Sequence, residues 1–123
     1  MQKENLLNVA LSQIAPVWLD KEATLQKIYT QIQQAATTQT ELIVFGEGLL
    51  PGYPFWLALA DGAHWNTSLN KELYAHYLRN SITIENGDLD PLCALAKKHH
   101  MAIYLGIIER PLDRGGHSVY ASL

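Results

Sequence analysis

The residue types best suited to chemistry lie in one stretch, Glu41–Trp56, which reads ELIVFGEGLLPGYPFW. A short apolar run ends at Phe45, and Glu47 follows it, flanked by Gly46 and Gly48. If Leu42–Phe45 is a strand of an open α/β sheet, Glu47 stands outside its carboxyl end, where such sheets build their sites. The apolar Leu49 and Leu50 behind it are expected to withdraw the carboxylate partly from water, and a partly desolvated carboxylate is suited to act as a general base. From position alone a helix N-cap or a solvated loop carboxylate is the commoner reading of such a residue. Pro51, Gly52 and Pro54 form a turn directly after the strand. Tyr53 and Trp56 either line a pocket for a small molecule or wedge the turn against the next helix; aromatic side chains serve both purposes.

Other polar residues carry less. Leu89, Leu92, Cys93 and Ala96 recur at i, i+3, i+4 and i+7. That spacing points Cys93 to the core face of a helix as a small hydrophobe rather than a nucleophile. His99 and His100 are neighbours, and neighbours on a helix do not face one way. With no H-E-x-x-H spacing, no metal site is expected. No helix start follows Gly115-Gly116, so these glycines mark a turn and not a phosphate loop. His64 and His76 read as surface or packing residues of a helical segment, Lys97 and Lys98 as solvated charges at a helix end. His117 opens the last strand and is given no role.

These residues need elements to hold them. Leu6–Gln13 reads as a buried strand stopped by Pro16. Asp20 is an N-cap for a helix running to about Ala36, with Leu25, Ile28, Tyr29, Ile32, Ala35 and Ala36 on one face. Leu42–Phe45 is a second buried strand. Phe55–Ala63 and Leu69–Arg79 read as short helices. Asp90 reads as the N-cap, and Pro91 as the first residue, of a helix to about His99. Met101–Ile108 is the longest apolar run and a third buried strand. His117–Leu123 alternates, with Val119, Ala121 and Leu123 on one side and Ser118, Tyr120 and Ser122 on the other. The order β-α-β-α-α-α-β-β argues for an α/β sheet.

Composition narrows the function classes. The chain has 123 residues, 48% of them hydrophobic and 17% charged, with a formal net charge of −3. That is too apolar for a disordered chain and too short for more than one domain. A single cysteine excludes a disulfide framework. The mildly acidic balance offers no footprint for nucleic acid. No apolar run reaches the ~20 residues of a membrane span, and no signal peptide is visible. The expectation is a cytoplasmic chain whose partners are small molecules or other protein chains. The alternation at His117–Leu123 has no turn or cap after it, so residues 1–123 are expected to be a partial domain, truncated within a strand.

Three segments together, VALSQIAPVWLD, ELIVFGEGLLPGYPFW and YLGIIERPLDRGGHSVYASL, resemble the amino-terminal part of a nitrilase of the carbon–nitrogen hydrolase superfamily. The E-x-x-x-P-G-Y-P segment is specific, far more so than a lone glycine pattern, and the likeness runs from about Leu6 to Leu123. The resemblance implies the first half of an α-β-β-α sandwich and association through helical faces into homo-oligomers. It also implies a Glu-Lys-Cys triad, in which Glu47 corresponds to the general base that activates the cysteine. The reaction implied turns a nitrile and water into a carboxylic acid and ammonia through a covalent thioimidate, without metal or organic cofactor. Trp56 after the turn is similar to the nitrilase branch more than to the amidase branches.

The resemblance also has gaps. The family's lysine and cysteine lie in segments that have no match here, so Glu47 is the one triad member these residues carry. A glycine is usual in the family where Gln39 stands, and a proline is common where Gly46 stands. Two other readings follow. The chain could be a non-catalytic fragment, or a half-domain that pairs with a complementing C-terminal half. It could also belong to an amidase or carbamoyl hydrolase of the same superfamily.

Overall fold

The computed structural model describes residues 5–64 and 66–123. Its strands are β1 (Val9–Ser12), β2 (Leu42–Phe45), β3 (Ala102–Tyr104), β4 (Ile107–Glu109) and β5 (Tyr120–Ser122). Its helices are α1 (Lys21–Ala36), α2 (Trp56–Leu59), α3 (Ser68–Asn80) and α4 (Asp90–His99). A 3₁₀ turn at Ile84–Asn86, which the sequence reading lacks, precedes α4. The three strands β1, β2 and β3 form a parallel sheet in that order, with β2 in the centre. The fold is α/β, as the alternation of strand and helix implies.

α1 forms where its sequence says it should. The Asp20 carboxylate accepts from the Ala23 N–H at 2.9 Å, satisfying one of the free donors of the first turn. Leu25, Ile28, Ile32 and Ala35 are buried on one face. They pack against Ile43 and Phe45 of β2, Leu92 of α4, and Leu49, Leu50, Ile82, Met101, Leu105 and Ile107. Ile28 and Ile32 are fully buried, and truncating either to alanine would cost about 2–5 kcal/mol.

Four expectations are corrected. The first concerns burial of the strands. Continuous apolar runs read as strands covered on both faces, yet α1 and α4 cover only one. Val9 is 47%, Leu11 78% and Tyr104 49% exposed on the other. The second concerns the run Met101–Ile108, which is two strands and not one, because the chain leaves β2 at Leu105-Gly106. Beyond that break β4 pairs antiparallel with β5, Ile108 opposite Ala121. Its other edge meets Leu50 and Ile82 in single parallel bridges. The third concerns α4, whose N-cap is Leu89 without a side-chain bond; Asp90 lies inside the first turn, and its N–H donates to the Gly87 carbonyl at 3.0 Å. The fourth concerns Cys93. It shares a face with Leu89, Leu92 and Ala96 as expected, but that face borders an apolar groove of about 240 Å³, and the thiol is exposed.

Candidate functional site

Glu47 sits in the loop that leaves the carboxyl end of β2, where a parallel sheet presents its site residues. Its backbone neighbourhood is tightly specified. Gly48 has φ +58, and a side chain there would meet Tyr53 and Ile108 at 3.4–3.5 Å. Next, the Leu50 N–H donates to the Gly106 carbonyl at 3.3 Å and the Ile108 N–H donates to the Leu50 carbonyl at 2.9 Å. These bonds tie the loop to the β3–β4 junction. The Gly52 N–H closes back on the Gly48 carbonyl at 3.1 Å. The Leu50–Pro51 peptide bond is cis.

The turn after Glu47 is anchored from α3. The buried Tyr77 hydroxyl donates to the Gly52 carbonyl at 3.0 Å. Burial pushes the Tyr77 phenol well above its usual range, and the nearby Tyr53 and Tyr74 phenols add to that push. Gly52 has φ +128, and a side chain there would meet Pro16 and Trp18. The turn is therefore held between the loop before α1 and helix α3.

Around this frame the predicted residues separate. Glu47 is exposed. The apolar cover expected from Leu49 and Leu50 does not form over it, since both side chains are buried in the core below the loop. Tyr53 is 50% exposed and lies against Gly48, next to Glu47. It stacks at 5.2 Å on Phe55, which in turn stacks at 5.4 Å on Trp18. Trp56 does not join them at the surface. It is buried with Tyr77 and Ile108, 5.9 Å from the Tyr77 ring, and wedges α2 against α3. Its indole Nε1 has no hydrogen-bond partner among the described residues.

The remaining candidates lie elsewhere. Among the described residues no group of three His, Cys, Asp or Glu side chains could hold a metal ion. Lys97 and Lys98 are exposed at the end of α4. The His117 carbonyl accepts from the Tyr74 hydroxyl, and His64 pairs with Asp61. Gly115 and Gly116, at φ +79 and +55, form the expected turn. Two residues that matter to the loop escape sequence reasoning, Gly106 and Tyr77. Gly106 did leave a signal, since a glycine inside a strand pattern marks a bulge or a close backbone approach.

The sequence pattern of the carbon–nitrogen hydrolase family matches residues 8–123, including the loop just described. The chain belongs to the carbon–nitrogen hydrolase family. Among its relatives, an arylacetonitrilase from Aspergillus niger is 34% identical over 98% of this chain and 32% of the relative. An arylacetonitrilase from Fusarium vanettenii is 35% identical over 94% of this chain and 31% of its own length. A protein named nitrilase 2, from an unknown prokaryotic organism, is 33% identical over 95% and 35%. The chain thus spans about a third of the length of the curated relatives it matches. At Gln39, where the resemblance leads to an expectation of glycine, the backbone conformation suits glycine. Gln39 has φ +54, the left-handed region that glycine enters at no cost and other residues enter with strain. At Gly46, by contrast, a side chain would meet nothing within 4 Å.

Proposed function

We propose that this chain supplies the glutamate general base of a nitrilase-type hydrolase, and that the substrates are arylacetonitriles, as the names of its relatives suggest. The observation that carries the reading is the placement of Glu47. Its loop lies at the carboxyl end of a central parallel strand and is tied to the β3–β4 junction and to Tyr77. A general base has to be held at a fixed place while its carboxylate stays free to meet a partner. Glu47 meets both conditions: a constrained backbone and an exposed side chain.

The chemistry follows from the family. The carboxylate takes the proton of a cysteine thiol, and the thiolate adds to the nitrile carbon to give a thioimidate. One water converts this to a thioester and ammonia. A second water, deprotonated by the same carboxylate, releases the carboxylic acid and the thiol. The lysine and the cysteine have no counterpart in these 123 residues and belong to other parts of the assembled enzyme. Exposed Tyr53, beside the loop, is the residue here best placed to touch substrate, whereas Trp56 acts through packing. A cytoplasmic setting and self-association through helical faces go with this reading. The chemistry calls for no metal or organic cofactor.

A chimera tests it. This chain replaces the segment it matches in the Aspergillus niger arylacetonitrilase, and ammonia release is followed on phenylacetonitrile. Glu47→Gln keeps size and hydrogen bonding but cannot accept the proton. It should retain the circular dichroism of the chimera and lose at least about 100-fold in rate. Rates within a few-fold of the chimera would make Glu47 structural. The 123-residue chain alone should release no ammonia above background. Turnover by it that survives Cys93→Ala would mean chemistry without the family nucleophile, and turnover lost in Cys93→Ala would make Cys93 the nucleophile.

A further inference from the structure

Gly106 stands between β3 and β4, where the chain leaves the parallel sheet. It is buried, and its backbone is not in the left-handed region, so its conformation does not demand glycine. Space does. A Cβ on Gly106 would stand 2.6 Å from the Cα of Glu47 and 2.7 Å from the backbone nitrogen of Gly48, and closer still to the Gly46 carbonyl oxygen. All three are backbone atoms and none can swing aside. The stretch that carries Glu47 therefore lies directly on the Gly106 backbone.

We propose that Gly106 is a positioning residue for Glu47: its missing side chain sets where the Glu47 backbone, and with it the carboxylate, stands. This rests on the reading of Glu47 as the general base. The direction of the response follows from the bonding. The β3–β4 junction is tied by the ladder of β3 with β2, and beyond Gly106 by the ladder of β4 with β5 and the bridge to Ile82. Gly46 and Glu47 are exposed on their outer side, so an added methyl pushes the loop and not the sheet. Bringing 2.6 Å to an ordinary contact of 3.4 Å or more moves Glu47 by at least 0.8 Å. Misplacement of a catalytic group by about 1 Å costs on the order of 100-fold in rate. Gly46, where a side chain meets nothing within 4 Å, is the control in the same loop.

The test measures kcat and KM in the chimera for Gly106→Ala, Gly46→Ala, Glu47→Gln and the double variant Gly106→Ala/Glu47→Gln. Gly106→Ala should lower kcat roughly 100-fold with KM within about threefold, while Gly46→Ala stays within about threefold of the parent. In the Glu47→Gln background Gly106→Ala should add nothing, because the group it positions is gone. Parental rates in Glu47→Gln would overturn the general-base reading instead. With Glu47→Gln inactive, a parental kcat in Gly106→Ala overturns the present inference. So does an equal fold-loss from Gly106→Ala in both backgrounds. Amide spectra of the 123-residue chain give a readout independent of turnover. Gly106→Ala should shift the Gly46, Glu47 and Gly48 resonances and leave those of α1 in place. Unmoved loop resonances, or loss of the α1 resonances as well, would overturn it.

Discussion

Replacing Tyr77 with phenylalanine removes one oxygen and leaves the ring where it packs on Trp56 and Ile108. The lost atom donates to the Gly52 carbonyl at 3.0 Å in a site where Tyr77 is 2% exposed. A net hydrogen bond is worth about 0.5–1.5 kcal/mol, and a buried carbonyl left without its donor costs about 1–3 kcal/mol. Tyr77→Phe should therefore destabilise by about 2 kcal/mol at pH 7, a fall of roughly 8 °C in Tm for a chain of this size. The same residue carries a pH signature. The phenol is held above its ordinary value of 10.0 by burial first and by Tyr53 and Tyr74 second. Between the unfolded and folded values the native state keeps a proton that the unfolded state has released, so stability falls as pH rises. The fall from this one group approaches about 1.4 kcal/mol per pH unit. Near pH 11 the parent has therefore lost about 1.4 kcal/mol that Tyr77→Phe never had, and the gap between them should shrink from about 2 to below 1 kcal/mol. Paired melts by circular dichroism at one protein concentration, from pH 7 to pH 11, check both numbers. A deficit under about 0.5 kcal/mol at pH 7, or one that stays constant to pH 11, would refute the argument.

Two further outcomes follow from the backbone and the sheet. Gln39→Gly should raise stability by about 0.5–1 kcal/mol, because it relieves the cost of φ +54 at a non-glycine residue while adding some freedom to the unfolded chain; a lower Tm in that variant would show that the Gln39 side chain matters more than its backbone. The uncovered sheet face bearing Val9, Leu11 and Tyr104 should make the 123-residue chain self-associate or bind ANS. Leu11→Lys with Tyr104→Lys should lower both sedimentation coefficient and dye fluorescence, and a parent that is already monomeric and dye-silent would contradict this.

Sequence alone determined the features whose causes are local. α1 was legible from the 3.6-residue spacing of Leu25, Ile28, Ile32 and Ala35 and from Asp20 ahead of it, since a helix face and its cap involve residues at most a few positions apart. The bounds of β2 were legible for the same reason, and the motif around Glu47 carried the family. Tertiary structure decided what depends on residues distant in the chain. Whether a strand face is covered depends on what packs over it, so Val9, Leu11 and Cys93 read as buried from their pattern yet stand exposed. The exposure of Glu47 was decided the same way, because the core claims Leu49 and Leu50. The glycine inside the apolar run Met101–Ile108 signals a break or a close backbone approach but not its partner, since the loop atoms it meets belong to Gly46, Glu47 and Gly48. Nor does spacing within α3 disclose that Tyr77 holds Gly52. Periodicity reports which side chains share a face; only the closed chain brings Gly106 and Tyr77 to the loop that carries Glu47.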